Sequence, residues 1–541
     1  MCGFVGFSGN YNEMDLLQSS ATITHRGPDD SGHFFEKESQ IGLAHRRLSI
    51  QDVSSLGHQP MITAKGNVIV YNGEVYNYKS LKRGLVDKGY HFNSTSDTEV
   101  VLKLYEEYGL KMFEMLEGIF AIAIWDPARG DLILARDGLG VKPLYLTSSP
   151  EGVVFASELK ALLPLIDVTK MEVDGPSLNR YLTFIYCPGD GTPLKQIKKL
   201  HPGELLVINK GQIINRQFFY QLPLSKRSKK SSQNINQIVN ELDEKLRNAV
   251  TSQMISDVPV GAFLSGGLDS SSIVAYASKI QPNLKCFTIQ VAEEKTDKLT
   301  NDLPYAEKVA EHLDVDLSIV TVDSEQMSKG LESMVIQLDE PLADPAALNV
   351  AFISELARSK GIKVLLSGTG GDDIFTGYRR HRALSLDNYM GLLPNFTLQS
   401  LEKIANNLNP RVTLFRRITK LFNGSSLTGD ARIINYFRWI KHKDLYPLFS
   451  ESFKNEIKLD FAENPMYNFL TQLPSSLSTL DRMLALEQRF FLADHNLNYT
   501  DKMSMASGIE VRVPLLDESL MQFVNTIPDA LKQKGMHGKW I

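Results

Sequence analysis

The sequence predicts two domains that both combine strands and helices, an α+β domain followed by an α/β domain. Between Cys2 and about Tyr220, short β-type runs alternate with turns of Gly, Asn, Asp and Pro. From about Asn236 onward, helical periodicity dominates and short buried strands interrupt it. A Gly-rich loop at Ser265 follows one of these strands and precedes a helix. These observations predict a layered sheet domain with outer helices, then a parallel-sheet domain that binds its ligand at the strands' carboxyl ends.

The composition is that of an ordinary soluble protein. Its 541 residues are 43% hydrophobic and 22% charged, enough for about two to four domains with sizeable cores. The net charge of −5 leaves no basic surface for nucleic acid. We find no charged leader before an apolar run and no stretch of about 18 uncharged apolar residues, so we expect a cytoplasmic protein without a membrane partner. Cys2, Cys187 and Cys286 form no disulfide or metal spacing, which suits a reducing compartment.

In the first domain, expected at residues 1–220, seven runs predict strands and one predicts a helix. The helix is expected at 98–108, after Ser96 and Asp97, which are typical of helix N-termini. A basic, serine-rich run at 225–232 is most simply part of a solvated linker, expected at 221–235. The strands are expected at 40–44, 68–71, 120–125, 132–135, 144–147, 153–156 and 204–208.

The second domain is expected at 236–541. Short apolar runs around Phe263 and at 284–290, 317–322 and 362–366 alternate with helical segments, which predicts a parallel sheet. The run 362–366 ends in a second Gly-rich turn, Ser367 and Gly368. Because parallel strands end at the same edge, this turn should face the same crevice as the Ser265 loop.

The loop LSGGLDSSS at 264–272 is suited to binding phosphate. Gly266 and Gly267 let the backbone approach a ligand, and the serine hydroxyls and the amides at the helix start add donors. Asp269 would repel a phosphate unless a cation lay between them, which indicates a magnesium-bound nucleotide or pyrophosphate. The alternative interpretation is a Gly turn before a helix capped by Asp or Ser.

Cys2 is a candidate N-terminal nucleophile. If Met1 is removed, Cys2 carries both a thiol and a free α-amine. An α-amine has a pKa of about 7.7–8.0, so at neutral pH part of it can accept the thiol proton, directly or through water. The alternative is a small apolar residue buried at the end of a first strand.

Five further motifs occur with Cys2 in a fixed order, and together they resemble the glutaminase domain of class II glutamine amidotransferases. They are HRGPD at 25–29, RLSI at 47–50, YNGEVYN at 71–77, SDTE at 96–99 and RDGLGVKPLY at 136–145. The resemblance implies an N-terminal-nucleophile hydrolase fold with α-β-β-α layers. It also implies that Cys2 attacks the side-chain amide of glutamine, with the Asn72 side chain and the Gly73 N–H stabilising the oxyanion.

The same resemblance implies the residues that bind glutamine. Arg47 would pair with the α-carboxylate, while Glu74 and Asp97 would bind the α-ammonium. From the residues alone, Asn72 and Gly73 are also a good hairpin turn, Arg47 suits a surface ion pair and Asp97 suits a helix cap. The complete glutamine site implied by the family comprises Arg47, Leu48, Ser49, Ile50, Asn72, Gly73, Glu74 and Asp97.

The Ser265 loop resembles the pyrophosphate loop of ATP pyrophosphatases, and three more stretches resemble the synthetase domain of glutamine-hydrolysing asparagine synthetases. They are DEPLADP at 339–345, LSGTGGDD at 366–373, and DKMSMA at 501–506 with EVRVPLLD at 510–517. The family implies a possible homodimer and an ATP-dependent amidation of aspartate, with release of AMP and pyrophosphate. It implies Mg²⁺ at Asp269 and Asp372, and ATP at Phe263, Ser265, Gly266, Gly267, Asp269, Ser270, Ile289, Ser367 and Gly368.

Two departures from the family pattern leave alternatives open. Thr369 stands where these synthetases usually have a glutamate implicated in handling ammonia, and threonine accepts no proton near neutral pH. Asp372, Asp373 or water would take over that task, or the acceptor is a sugar carboxylate of bacterial surface polysaccharides. The chain also ends at Ile541, inside a stretch that continues in the family, so we expect a domain shortened at its C-terminus. A regulatory protein without synthetase activity is the third interpretation.

Overall fold

The computed structural model describes residues 2–224, 234–292, 302–390, 393–409 and 412–541. Most of the predicted linker, residues 225–233, lies outside these ranges. In the described part, the chain forms two domains with separate sheets. None of the described helices is both long and apolar enough to cross a membrane.

The first domain contains two six-stranded antiparallel sheets. One has the strand order β10-β8-β9-β1-β3-β2 and the other β12-β11-β7-β6-β5-β4. The strands are β1 (Gly3–Gly9), β2 (Asp30–Glu36), β3 (Ile41–Arg47), β4 (Met61–Ile62), β5 (Val68–Val75), β6 (Gly118–Asp126), β7 (Asp131–Arg136), β8 (Tyr145–Ser149), β9 (Gly152–Ala156), β10 (Ile197–Lys199), β11 (Glu204–Asn209) and β12 (Gln212–Phe218).

Helices cover both outer faces of these sheets, which gives the predicted α-β-β-α layers. On β1, Phe4 faces the second sheet, while Val5 and Phe7 face α1. On β5, Val70 faces the first sheet and Tyr71 faces the helical side. This alternation follows from the two-residue period of a strand. The helices are α1 (Glu13–Ala21), α2 (Tyr78–Val86), α3 (Asp97–Tyr108) and α4 (Gly175–Phe184).

The second domain has a five-stranded parallel sheet with the order β15-β14-β13-β16-β17. Its strands are β13 (Val260–Phe263), β14 (Lys285–Val291), β15 (Asp316–Val322), β16 (Val364–Leu366) and β17 (Glu510–Arg512), and a small hairpin follows, β18 (Gln533–Lys534) and β19 (His537–Gly538). The first four strands match the four predicted runs. The fifth, β17, is too short and too charged for the sequence pattern to reveal it.

Helices surround this parallel sheet. They are α5 (Ile235–Gln253), α6 (Leu268–Ile280), α7 (Leu303–Leu313), α8 (Ser324–Leu338), α9 (Ala346–Ser359), α10 (Gly371–Phe375), α11 (Arg379–Met390), α12 (Asn395–Asn406), α13 (Thr413–Phe422), α14 (Gly429–Asn435), α15 (His442–Leu445), α16 (Glu451–Ile457), α17 (Asn464–Gln472), α18 (Thr479–Leu486), α19 (Leu497–Met505), α20 (Glu518–Val524) and α21 (Asp529–Lys532). A π-helix, Glu487–Asn496, joins α18 to α19. The predicted helix-rich parallel-sheet domain is confirmed.

The two domains share a hydrophobic core. Leu48, Ile50 and Val141 of the first domain belong to the same buried cluster as Leu515 and Leu516 of the second. Burial of such a continuous apolar surface stabilises association of the two domains. It therefore holds the carboxyl edge of the parallel sheet in a fixed place relative to the first domain.

Candidate active sites

Cys2 immediately precedes β1, a strand in the middle of the first sheet. Its backbone nitrogen donates a hydrogen bond to Oδ1 of Asn72 (3.0 Å), and its carbonyl accepts one from Nε of Arg26 (3.0 Å). Burial raises the pKa of the Cys2 thiol, and the charge of the amino terminus and a backbone hydrogen bond from Leu48 offset part of the increase. A buried thiol of this kind needs a nearby base to become a nucleophile.

Asn72 and Gly73 lie inside β5, so the alternative interpretation as a hairpin turn is wrong. They pair with Ala121 and Phe120 of β6. The side chain of Asn72 is fully buried, and its Nδ2 donates to no acceptor among the described residues. A Cβ at position 73 would lie 2.0 Å from the carbonyl oxygen of Ile119, so only glycine fits there. An unused donor beside Cys2 is the arrangement that an oxyanion site requires.

A small cavity opens beside Cys2 and collects most of the predicted glutamine-binding residues. Ser49 does not line it, because its main chain is turned toward Asp29, whose Oδ2 accepts the Ser49 N–H (2.8 Å). Asn72 does not line it either, although it contacts Cys2. The lining includes Cys2, Arg47, Leu48, Ile50, Gln51, Gly73, Glu74 and Asp97.

Arg47 is buried at the end of β3, so it is not a surface ion pair. Its Nη1 donates to the carbonyl of Ser54 (3.0 Å), and its Nη2 donates to the carbonyls of Gln51 (3.3 Å) and Asp52. These main-chain acceptors fix the plane of the guanidinium without neutralising its charge. The charge remains available for a carboxylate in the cavity.

Two buried carboxylates face the same cavity. Asp97 accepts hydrogen bonds from the hydroxyl of Tyr71 (2.8 Å) and the N–H of Val75 (2.9 Å). The helix cap is Ser96 instead, whose hydroxyl accepts from Thr98. Burial raises the pKa of Asp97 and raises that of Glu74 well above its ordinary range. Both carboxyls therefore gain from a cation placed between them, such as an ammonium group.

In the second domain, the Ser265 loop connects β13 to α6. Gly266 has a φ of 75°, and a Cβ there would lie 2.4 Å from the amide nitrogen of Ala306. The hydroxyls of Ser265 and Ser270 lie 3.0 Å apart, and the Ser270 hydroxyl donates to the carbonyl of Gly267 (3.2 Å). The loop is therefore held in shape by its own hydroxyls, and its main chain is exposed to a ligand.

The second Gly-rich turn meets this loop, as the sequence predicted. Ser367 and Gly368 follow β16, and a Cβ on Gly368 would lie 2.7 Å from the amide nitrogen of Ser270. The hydroxyl of Thr369 lies 2.8 Å from that of Ser367. Phe263 ends β13 and Ile289 lies on the adjacent β14, both half-buried at the same part of the sheet. The two turns therefore form one crevice at the carboxyl ends of the strands.

Asp269 and Asp372 converge on one cation, the ammonium of Lys539. Its Nζ lies 2.6 Å from Oδ2 of Asp269 and 2.5 Å from Oδ1 of Asp372. Burial raises the pKa of Asp269, and Lys539 opposes that increase. The donor set suits Mg²⁺, which often binds through one or two carboxylates and substrate phosphates. In the described ranges, no group of three or more His, Cys, Asp or Glu side chains has an arrangement that could hold a metal ion, so such an ion would need those phosphates.

Asp373, the other acidic residue of this turn, points elsewhere. It is fully buried, and its Oδ2 accepts a hydrogen bond from the hydroxyl of Tyr378 (3.2 Å). Burial, together with the charge of Glu487, raises its pKa well above the ordinary range. Asp372 is therefore the better exposed of the two carboxylates beside the nucleotide crevice.

Several motifs used in the sequence analysis lie at the domain interface. Arg26 donates to Glu158 (2.9 Å) and to Asp501 of the second domain (2.8 Å), and Lys142 lies 3.2 Å from the same aspartate. All four side chains are buried. The sequence analysis related the motifs that contain these residues to glutamine or ATP. In the structure, the side chains of Arg26, Lys142 and Asp501 instead join the two domains.

Sequence reasoning assigned no role to three charged residues that reach the two crevices. Lys539 reaches the acidic pair. From β17, Arg512 reaches Glu74 of the first domain, and Glu510 lies close enough for its charge to raise the pKa of Glu74. One signal was present for the second pair, since Glu510 and Arg512 alternate with the apolar residues Ile509, Val511 and Val513. Two charges on one face of an otherwise apolar strand indicate a buried polar contact.

Comparison with known proteins covers nearly the whole chain. Residues 1–219 match the model of the glutamine amidotransferase domain, and residues 241–541 match that of asparagine synthase. The chain is 32% identical to asparagine synthetase [glutamine-hydrolyzing] 1 of Bacillus subtilis, covering 100% of this chain and 83% of the relative. It is 30% identical to a putative asparagine synthetase of Mycobacterium bovis (98% and 82% covered) and 27% identical to amidase chry2 of Gibberella zeae (96% and 79%).

Proposed function

Because this chain belongs to the glutamine-hydrolysing asparagine synthetase family, we propose that it transfers the amide nitrogen of glutamine to a carboxylate activated by ATP. One observation carries the proposal. A cysteine with an unused, buried amide donor beside it lies in one domain, and two Gly-rich turns with a pair of carboxylates lie in the other. A common hydrophobic core fixes the two sites in one molecule.

The glutaminase half uses Cys2 as its nucleophile. After removal of Met1, the α-amine accepts the thiol proton, and the thiolate attacks the amide carbon of glutamine. Nδ2 of Asn72 and the N–H of Gly73 stabilise the resulting oxyanion. The C–N bond then breaks, the protonated amine returns its proton to the leaving ammonia, and water hydrolyses the thioester to glutamate. Arg47 binds the α-carboxylate, and Glu74 and Asp97 bind the α-ammonium.

The synthetase half activates the acceptor in the crevice of the second domain. A carboxylate oxygen attacks the α-phosphorus of ATP, pyrophosphate leaves, and an acyl adenylate remains. Ammonia then attacks the acyl carbon, and AMP departs as the amide forms. The main chain of the Ser265 loop and the Ser367 turn binds the phosphates. Asp269 and Asp372 would hold Mg²⁺, which neutralises phosphate charge when bound.

Aspartate is the acceptor that we propose, on the strength of the family. Thr369 specifically favours a second candidate, a sugar carboxylate such as a uronic acid, because threonine replaces the expected glutamate. We place the reaction in the cytoplasm. In support, the described cysteines Cys2, Cys187 and Cys286 are all free and buried, and a reducing compartment keeps the Cys2 thiol reduced.

The test is pyrophosphate release from ATP with ammonium chloride, comparing aspartate with uronic acids and sugar-nucleotide uronates. Release that depends on aspartate supports an asparagine synthetase, and release only with a sugar acid supports the second candidate. If no acceptor supports pyrophosphate release, both candidates are contradicted and a regulatory protein is favoured. In this assay, C2A should retain ammonia-dependent synthesis and lose the glutamine-dependent reaction, with C286A as the control for a buried cysteine. D269N should release no pyrophosphate and keep hydrolysing glutamine.

A further inference from the structure

A residue of the second domain lies against the glutamine pocket of the first. Arg512, on β17, is fully buried, and its Nη2 lies 3.3 Å from Oε1 of Glu74. Its Nη1 donates to the carbonyls of Gln253 (2.8 Å) and Ile255 (2.6 Å), and its Nε donates to Glu510. These contacts hold the guanidinium in place, so its free edge stays directed at Glu74.

Glu74 needs this positive charge. The residue is 4% exposed, and burial, followed by the negative charge of Glu510, raises its pKa well above the ordinary range. Arg512 is the strongest opposing influence. A carboxylate binds an ammonium group well only when it is ionised, and a protonated carboxyl loses most of that attraction. The other oxygen of Glu74 accepts a hydrogen bond from Gln51, which orients the group.

Accepting the proposed hydrolysis of glutamine at Cys2, we propose that Arg512 is a positioning residue of this reaction. It acts through Glu74, whose ionised form it stabilises and which it orients for the α-ammonium of glutamine. The glutamine site of the first domain is thus completed by a side chain from the sheet of the second. A separated first domain would bind glutamine more weakly for this reason.

A second charged residue of the second domain contacts the first domain close to the pocket in sequence. Lys363 immediately precedes β16, and its Nζ lies 2.7 Å from Oδ2 of Asp29, the oxygen that also accepts the Ser49 N–H. β16 and β17 are adjacent parallel strands, and the carbonyl of Arg512 accepts a hydrogen bond from the N–H of Ser367 (2.8 Å). β17 therefore contacts Glu74 of the glutamine pocket with the side chain of Arg512 and the nucleotide turn with its main chain.

The experiment compares two substrates in the full-length protein. One is glutamine, and the other is 4-carbamoylbutanoate, which is glutamine without its α-amino group. For R512Q we expect kcat/KM for glutamine to fall about 10- to 100-fold, mainly through KM. For 4-carbamoylbutanoate we expect a change of less than about threefold, because that substrate makes no ammonium contact. The ratio of the two values does not depend on the fraction of protein that is folded.

Three variants complete the comparison. E74Q should lower kcat/KM for glutamine relative to 4-carbamoylbutanoate, as R512Q does. The double variant should lose no more kcat/KM for glutamine than E74Q alone, because both substitutions act on one contact. R512K should recover part of the loss. K199M is the control and removes a different buried cation of the interface, Lys199, which lies 3.7 Å from Glu340 and from Asp494. It should change kcat/KM for both substrates by the same factor.

Equal losses on both substrates in R512Q, or no loss on either, would overturn the inference and leave Arg512 a structural residue. If R512Q does not accumulate as folded protein, R512K can be measured with the same two substrates. A smaller change in the ratio of their kcat/KM values is then expected. Failure of the unmodified protein to hydrolyse glutamine would instead overturn the proposed function. The two failures are therefore distinguishable.

Discussion

Asn72 shows that the structural surroundings of a residue carry information that its sequence motif does not. The motif YNGEVYN contains two asparagines, and the sequence places both near a glycine or a turn. In the structure, Nδ2 of Asn77 donates to the carbonyl of Met115 (2.9 Å), whereas Nδ2 of Asn72 has no acceptor in the described part of the chain. A buried amide left without a partner carries a cost in stability that a catalytic role would explain.

This difference predicts opposite outcomes for the two asparagines. N72A should lower kcat for glutamine hydrolysis by about 10²–10³, because one oxyanion donor is lost. N77A should leave kcat nearly unchanged and lower thermal stability, because it removes a structural hydrogen bond. Steady-state glutaminase kinetics and thermal unfolding of both variants provide the measurement. A glutaminase kcat for N72A equal to that of N77A would contradict the assignment.

Other residues show where sequence reasoning stopped. Cys2, Arg47 and Asp97 were assigned to one site from local sequence signals, and in the structure they line one cavity. Lys539 and Arg512 act across 270 and 438 positions of sequence, at Asp269 and Glu74. Such contacts depend on the packing of distant elements, and neither composition nor periodicity contains that information.

At the level of elements, strand and helix types were predictable and their ends less so. β5 was expected at 68–71 and runs to Val75, because Asn72 and Gly73 resemble a turn locally while tertiary pairing with β6 keeps them in the sheet. β17 was missed because it has only three residues, two of them charged, and the strands were predicted from longer apolar runs. Both elements carry residues of the candidate glutaminase site, so this site was the harder one to see.

The Ser265 loop offers a matched pair of glycines. At Gly266, a φ of 75° and contacts below 3.0 Å to Tyr305 and Ala306 exclude a side chain. At Gly267, φ is −71°, and a Cβ would meet the Ser265 hydroxyl at an ordinary 3.4 Å. G266A should therefore lower the Tm of the second domain by roughly 2–8 °C, with a smaller change for G267A.

Differential scanning calorimetry of the two variants measures this change in Tm. Glutaminase activity checks that the first domain is intact. G266A should also bind ATP more weakly, because displacement of the loop moves the main-chain donors away from the phosphates. A Tm for G266A that equals that of G267A would contradict the role given to the left-handed backbone at Gly266.

At the level of the whole molecule, the two-domain fold was predictable and the interface was not. The strands and turns of each domain are encoded locally, and they confirm a layered sheet domain beside a parallel-sheet domain. The interface depends on buried charged and polar side chains far apart in sequence, such as Arg26 with Asp501 and Tyr145 with Glu340. From the sequence, these residues could be recognised only as members of motifs. Only the fold shows that they lie between the domains.

Glu340 predicts how this interface responds to acid. Burial by itself would raise its pKa, but Lys199 and Lys502, with hydrogen bonds from Tyr145 and Asn498, lower it to about 2. Because the folded pKa lies below the ordinary value of 4.5, the ionised group stabilises the fold above that pH. This stabilisation is lost progressively as the pH falls from about 5 toward 2.

We therefore expect E340Q to be less stable than the unmodified protein at pH 7, by about 3–5 kcal/mol, because two buried lysines, Lys199 and Lys502, lose the charge of Glu340. The difference between the two proteins should shrink between about pH 5 and 2, because Glu340 takes up its proton at a higher pH in the unfolded chain than in the folded protein. Tm measured across this range gives the test, with E325Q as the control, since Glu325 pairs with Lys329 on the surface. A difference that stays constant down to about pH 2 would show that Glu340 is not the acid-sensitive contact of the interface.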